Sequence, residues 1–224
     1  MAGGDGTPER PINDSKGCGG VMRVAPVGLF ANRPFKLGCE VAAITHGHPS
    51  GYLAAGAFAR MIAVLKDGGS MDEALDRAMR ELAGHPGHEE VTEALEAALS
   101  SARGESATPG TIEWLGAGWV AEEALAIGVF CALKARDFAS GVRLAVNHSG
   151  DSDSTGSIAG NLLGTALGVE AIPQRWLARL EVRQIIETIA DDMQRVLTFS
   201  SSPMGWKPTG KEVTEDFFRR YPPN

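Results

Sequence analysis

This chain has no surplus of basic residues: 21 lysines and arginines stand against 28 aspartates and glutamates, a formal net charge of -7. Non-specific nucleic acid binding needs a basic face that releases counterions from phosphates, so no nucleic acid partner is expected, and a small polar ligand or divalent metal fits better. Cysteine pairs are missing as well. Cys18, Cys39 and Cys131 are odd in number, widely spaced and without a CxxC, which points to buried thiols in a reducing compartment rather than to disulfides. No apolar run reaches the roughly 18 residues of a membrane span. The opening "MAGGDGTPERPINDSKG" has neither a basic n-region nor an apolar h-region, and the expected location is the cytoplasm, away from membranes. Sustained alternation of β-branched residues is absent too, as is any repeat of about 20 to 50 residues, which leaves no signal for a sheet or a solenoid.

What remains is helical. At 43% hydrophobic and 22% charged, the chain can build one sizeable core, and a single domain over residues 1–224 is expected, with a disordered lead over 1–12 and a polar tail over 198–224. "YLAAGAFARMIAVLK" sets Ala54, Ala57, Phe58, Met61 and Leu65 on one stripe before Asp67-Gly68-Gly69, the spacing of an amphipathic helix. Ser70 and Glu73 form an S-x-x-E capping box for the next helix, with Leu75, Ala78, Met79 and Leu82 inward. A third carries Val91, Leu95, Ala98 and Leu99. "SATPGTIEWLGAG" reads as a linker, and "WVAEEALAIGVFCALKA" as a long, largely apolar and hence central helix. Asp137 is placed to cap "FASGVRLAV", residues 155–168 are helical again, and Pro173 begins a short helix. "VRQIIETIADDMQRVL" aligns Ile185, Ile189, Met193 and Val196. The fold class is all-α, with about eight or nine helices by this count.

Chemistry concentrates in two stretches. In "GDSDST", Asp151, Asp153 and Ser154 offer hard oxygen donors within one turn, a cluster suited to Mg²⁺ or Mn²⁺. The same residues also suit a plain helix cap, with Asp153 or Ser154 as the capping side chain. Behind them Gly156, Gly160, Gly164 and Gly168 recur every four residues, a stripe that lets another backbone approach and argues for a buried helix. In "NDSKGCGGVMR", Gly17, Gly19 and Gly20 expose backbone N–H groups beside Ser15 and Lys16 and could cradle a phosphate, although the Walker A order is absent and a plain turn explains it too. His46 and His48 in "THGHPS" could be a ligand pair or a stacking surface, or ordinary histidines near a proline turn. Glu122 and Glu123 lie in an apolar setting, as helix-dipole partners or pocket acids.

Taken in order, "KGCGGVMRVAPVGL", "ITHGHPSGYLAAGAFA", "GWVAEEALAIGVFCAL", "NHSGDSDSTGSIAGNLLGTALG" and "IPQRWLARLE" resemble the ADP-ribosylglycohydrolase family, the group that includes dinitrogenase reductase activating glycohydrolase. The resemblance runs from Asn13 to about Leu197. It implies an all-α orthogonal multi-helix bundle with a dinuclear Mg²⁺ or Mn²⁺ centre, cleaving the bond between ADP-ribose and an acceptor on a protein or small conjugate. By motif, Asp151, Asp153 and Ser154 would be metal ligands. The loop of Asp14, Ser15, Lys16, Gly17, Cys18 and Gly19 would hold the ADP-ribose phosphates and ribose, and His46 would line the adenosine side. The family's "TDDT"-like metal motif and its acidic motif near "GDALG" precede that loop. Here only about a dozen residues do, and Asp5 in "GGDGT" does not match. The expectation is therefore an N-terminally truncated member with half of the metal ligands and no assignable catalytic acid or base: a fragment, a misplaced start or a degenerate, ADP-ribose-binding pseudoenzyme.

Overall fold

The computed structural model describes residues 6–104, 106–200 and 219–222, the side chains of 196–200 excepted. Twelve α-helices and one 3-10 turn, Val169–Ala171, are assigned there, and the only β pairing is two isolated bridges. Helix α1 spans Gly19–Met22, α2 Ala25–Phe30, α3 Pro34–Ala43, α4 Pro49–Lys66, α5 Met71–Leu82, α6 Glu89–Gly104 and α7 Pro109–Trp114. Helix α8 spans Ala121–Lys134, α9 Phe138–Val146, α10 Ser152–Leu167, α11 Gln174–Leu177 and α12 Arg183–Ser200. The all-α reading holds, and the helix count is higher than the periodicity suggested. Helix α7 lies where a linker was expected and α1 within the stretch read as a glycine turn, while α2 and α3 fall in a stretch given no element. They are short or proline-led: Pro34 and Pro109 open α3 and α7, and Pro26 sits in the first turn of α2. A first-turn proline loses no helical hydrogen bond and presets φ, so it starts these helices rather than ending them.

The chain divides into two compact units, residues 1–176 and 177–224. In the first, α4 and α8 are the inner helices. Helix α4 packs on α1, α2, α3, α5, α8 and α10, and α8 packs on α4, α6, α9 and α10. Both are apolar nearly all round because each meets neighbours on several sides. One face of α8, with Leu125 and Val129, joins the main core of Phe35, Phe58, Met61, Ile62 and Leu75, while Ile127, Phe130 and Cys131 join a second cluster with Ile112, Ala98 and Ala159. Helices α3 and α4 cross closely at Gly38 and Gly56. A β-carbon at Gly38 would stand 2.9 Å from the Ala59 β-carbon and 3.0 Å from the Ala55 carbonyl oxygen.

The expected caps form. Ser70 Oγ accepts from Glu73 N at 3.2 Å while Ser70 N donates to Glu73 Oε2 at 3.0 Å, and Asp137 Oδ1 accepts from Ser140 N at 2.6 Å. The glycine stripe of α10 does less than expected. Gly156 is tight against Val146, with 2.6 Å left for a β-carbon, but Gly160 and Gly164 leave ordinary 3.9 and 3.8 Å gaps to Val142 and Phe138, and Gly168 is open. The closest approaches come from partner helices, where Gly128 of α8 lies on Ile158 and Gly141 of α9 lies on Leu163. Nor is the lead wholly without structure. Thr7 and Arg10 pair through backbone bonds of 3.1 and 3.2 Å, and Gly6 lies against the Ala43 carbonyl.

In the second unit α12 continues to Ser200, past the point where a tail was expected. Of its expected inner face, Ile185 and Ile189 are exposed and Met193 is half-buried; the side chain of Val196 is outside the described residues. Its buried polar anchor is Asp192, which takes Arg220 at 3.0 Å and the Tyr221 hydroxyl at 3.2 Å.

All three cysteines are free and buried. Burial pushes the Cys39 and Cys131 thiols up to about 12, Glu81 adding to the effect at Cys39. A thiol raised in the fold contributes stability that is complete below its unfolded pKa, about 8.5, and is lost as pH rises toward the folded value. Unfolding free energy measured in denaturant should fall above about pH 8.5, approaching about 1.4 kcal/mol per pH unit per thiol. Cys131→Ala should remove one such share of the slope, and an unchanged slope would contradict the assignment.

Candidate functional site

The turn between α7 and α8 organises the site. Gly116 and Gly118 hold φ of 126° and 78°, left-handed conformations that favour glycine. Glu123, in the first turn of α8, closes the turn by accepting from Ala117 N at 2.9 Å and Gly118 N at 3.1 Å. The carbonyls so fixed then bind two distant segments. Asp151 N donates to Ala117 O at 2.8 Å and Cys18 N donates to Trp119 O at 3.1 Å. Ala121 N donates to Lys16 O at 2.8 Å, and Gly17 bridges to Val120. Gly150 lies directly against the Ala117 carbonyl, where a β-carbon has no room. One strap, residues 116–121, thus holds the glycine loop and the aspartate turn side by side.

Asp151 is the N-cap of α10, ahead of Asp153 and Ser154, which were the expected caps. The helix begins at Ser152, so Asp151 is the residue with non-helical backbone. Its Oδ2 accepts from the Cys18 thiol at 3.1 Å and from Ser154 Oγ at 2.9 Å. Ser154 Oγ also lies 3.2 Å from Cys18 Sγ and 2.9 Å from Met22 Sδ. Burial pushes the Asp151 carboxyl up, but the hydrogen bonds from Cys18 and Ser154 outweigh it and hold the group below its ordinary range. The Cys18 thiol is raised, by burial first and by the hydrogen bond it donates to this carboxylate. Asp153 is exposed, and its carboxyl adds to the lowering at Asp151. Among the described residues no Lys or Arg pairs with Asp151 or Asp153, and no three His, Cys, Asp or Glu side chains gather as cation ligands.

His148 went unassigned in the sequence reading. Its Nδ1 accepts from Gly150 N at 3.0 Å, and its Nε2 lies 2.9 Å from Thr155 Oγ1. Thr155 donates to Ala145 O at 2.7 Å, so the imidazole carries its proton on Nε2 and clamps the turn before Asp151 onto α10. The signal was a histidine two residues ahead of a glycine turn, which is too common to single out.

In the glycine loop Asn13 is the organiser. Its Oδ1 accepts from Ser15 N at 3.1 Å and Gly47 N at 3.0 Å, and its Nδ2 donates to Thr45 O at 3.0 Å, an Asx-turn that the "NDS" triplet could have signalled. Asp14 is exposed, and Ser15 Oγ faces Gly17 N at 3.5 Å. Lys16, expected near phosphates, is paired with two carboxylates. Its ammonium donates to Glu122 Oε1 at 2.6 Å and Glu90 Oε2 at 2.8 Å, and these bonds raise its pKa, Glu122 first. Glu90 is correspondingly held low by Lys16 and by Ser50, whose hydroxyl it accepts. Glu122 is buried, and its second oxygen has no partner among the described residues. The two acids on α8 therefore differ in role: Glu122 anchors Lys16, while Glu123 caps the strap.

His46 does meet the loop. A β-carbon on Gly17 would stand 3.3 Å from His46 Nε2, and one on Gly19 3.4 Å from its Cε1, so glycine lets the loop backbone lie on the imidazole edge. Burial, and then the nearby Arg23, lower its pKa and favour its neutral form. His48 is not its partner: it caps α4, accepting from Ser50 N at 3.1 Å.

The family model described as ADP-ribosylglycohydrolase matches residues 2–202. An uncharacterised protein of Archaeoglobus fulgidus is 31% identical over 179 residues, covering 77% of this chain and 56% of that protein. A shorter stretch of 38 residues is 47% identical to the ADP-ribosyl-[dinitrogen reductase] glycohydrolase of Rhodospirillum rubrum, 17% of this chain and 13% of the relative. A solved structure titled ADP-ribosylglycohydrolase-related protein complex superposes with a TM-score of 0.68 at 28% identity, covering 83% of this chain and 62% of the other. The chain thus spans about three fifths of the length of the longer relatives it matches.

Proposed function

The chain belongs to the ADP-ribosylglycohydrolase family, and from that premise we propose that it acts on ADP-ribose joined to a modified acceptor, releasing the ADP-ribose by hydrolysis. The observation that carries this reading is the strap of residues 116–121, which binds the glycine loop and Asp151 through adjacent carbonyls. A glycine loop lying against the His46 imidazole suits a nucleotide, and an ionised carboxylate next to it suits the sugar end.

Asp151, Asp153 and Ser154 fit Mg²⁺ or Mn²⁺ in kind, being all oxygen. Mg²⁺ keeps several waters and is commonly held by one or two carboxylates, so these donors suffice for one hydrated ion and fall short of two. Such an ion supplies charge that orients ribose hydroxyls and lowers the pKa of a bound water. The protein's own part is to keep Asp151 ionised, hold its carboxylate through Cys18 and Ser154, and present the glycine loop and His46 to the nucleotide. No acid or base is assigned among the described residues.

A second reading is a non-catalytic ADP-ribose-binding module. It is favoured by the absence, among the described residues, of any group of three His, Cys, Asp or Glu side chains placed to hold a cation. Calorimetric titration with ADP-ribose, with and without Mn²⁺, alongside release of ADP-ribose from a modified arginine or serine peptide, separates the two. Binding with release is the expected result. Binding without release selects the second reading, and neither binding nor release overturns both.

A further inference from the structure

Arg23 sits at the C-cap of α1 and reaches across to the end of α3. Its Nη2 donates to Val41 O at 2.8 Å and Ala42 O at 3.2 Å in the last turn of α3, where a cation is favourably placed. The same nitrogen donates to Thr45 Oγ1 at 2.6 Å. Thr45 Oγ1 lies in turn 2.7 Å from His46 Nδ1.

The donor inventory fixes the direction of this chain. A guanidinium only donates, so the threonine oxygen accepts from Arg23. Its own hydrogen then needs an acceptor, and among the described residues His46 Nδ1 is the one within bonding distance. The opposite arrangement, with Nδ1 protonated, would aim two donors at one hydroxyl and leave its hydrogen without a protein acceptor. His46 Nε2, on the far side of the ring, has no hydrogen-bond partner among the described residues and faces Gly17 and Gly19.

We propose that Arg23 and Thr45 are positioning residues that hold His46 as the neutral Nε2–H tautomer, making that nitrogen a fixed hydrogen-bond donor to an acceptor atom of the nucleotide lodged against the glycine loop. The tautomer assignment stands on the ligand-free protein, and the ligand part rests on the proposed function. The pattern also gives "VMR" a task that composition does not suggest: one arginine caps a helix end and sets a proton on a residue that touches ligand.

The test is long-range ¹H–¹⁵N correlation of the five imidazoles in the full, ¹⁵N-labelled chain at mildly alkaline pH, with His46 assigned from the signal lost in His46→Gln. Wild type should show the Nε2–H form alone. A free imidazole already leans toward that form, so the decisive variant is Thr45→Val, which should gain a visible Nδ1–H fraction while Thr45→Ser stays as wild type. Titration with ADP-ribose should read roughly 3- to 10-fold weaker for Thr45→Val, the share of about one hydrogen bond, with Thr45→Ser near wild type. Nδ1–H in the wild type, or a Thr45→Val spectrum identical to it, overturns the relay. A wild type with the expected tautomer that binds no ADP-ribose overturns the functional reading and leaves the relay standing.

Discussion

Replacing Asp151 by alanine is expected to destabilise the chain by about 2–4 kcal/mol and to abolish binding of Mn²⁺ and, with it, release of ADP-ribose. The stability loss has two sources. The N-cap of α10 goes, which costs about 1 kcal/mol. The Cys18 thiol and Ser154 hydroxyl also lose their shared acceptor in a buried setting, at about 1–3 kcal/mol for an unsatisfied group. Asp151→Asn separates fold from function: asparagine caps as well as aspartate and keeps an acceptor for Cys18, so unfolding should move by less than about 1 kcal/mol. The charge is gone, however, and Mn²⁺ affinity should drop by roughly a hundredfold or more, the equivalent of about 2.7 kcal/mol. The pH dependence supplies a further check. A carboxyl depressed in the fold contributes stability that is present above the unfolded pKa near 3.9 and is lost as pH falls through the folded value. Denaturant titrations should therefore show that share vanish in acid for wild type and be absent throughout for Asp151→Asn. Undiminished Mn²⁺ binding by Asp151→Asn would remove this residue from the cation site.

The second large effect lies in the ion pair beneath the loop. Lys16→Met should cost about 3 kcal/mol, because it leaves the Glu122 carboxylate buried without its cation, and Glu122 already carries one oxygen with no partner among the described residues. Glu122→Gln should cost less, since Lys16 is a third exposed and still reaches Glu90. The double variant Lys16→Met with Glu122→Gln should recover most of the loss, giving a coupling of about 1–3 kcal/mol in a double-mutant cycle read by urea unfolding. Strictly additive costs would mean that the two groups do not depend on one another.

Much of this was legible from local pattern. The stripe of α4, the capping boxes at Ser70 and Asp137, and the apolar α8 follow from periodicity and cap chemistry that span a few residues, and the structure carries each of them. The proline-led helices were not legible, because a proline signals a break and a start equally well until it is known what packs behind it. The family resemblance carried the glycine loop, His46 and the aspartate turn into one expected site, and the backbone bonds of residues 116–121 bring the loop and the turn together.

The sequence by itself determined the helical class, the strong caps and the few segments where glycine, acid and histidine gather, since these depend on neighbours within one or two turns. Only the tertiary structure decided which of those residues do what. Asp151 is buried while Asp153 stays exposed, the Asp151 N–H being held by Ala117 O, and Lys16 is paired with carboxylates 74 and 106 residues away. The α10 glycines stay loosely packed because the tight contacts were made from α8 and α9. Cap and periodicity preferences are local energies, whereas the choice among near-equal candidates is made by hydrogen bonds and ion pairs between segments far apart in the chain, and no local pattern encodes those.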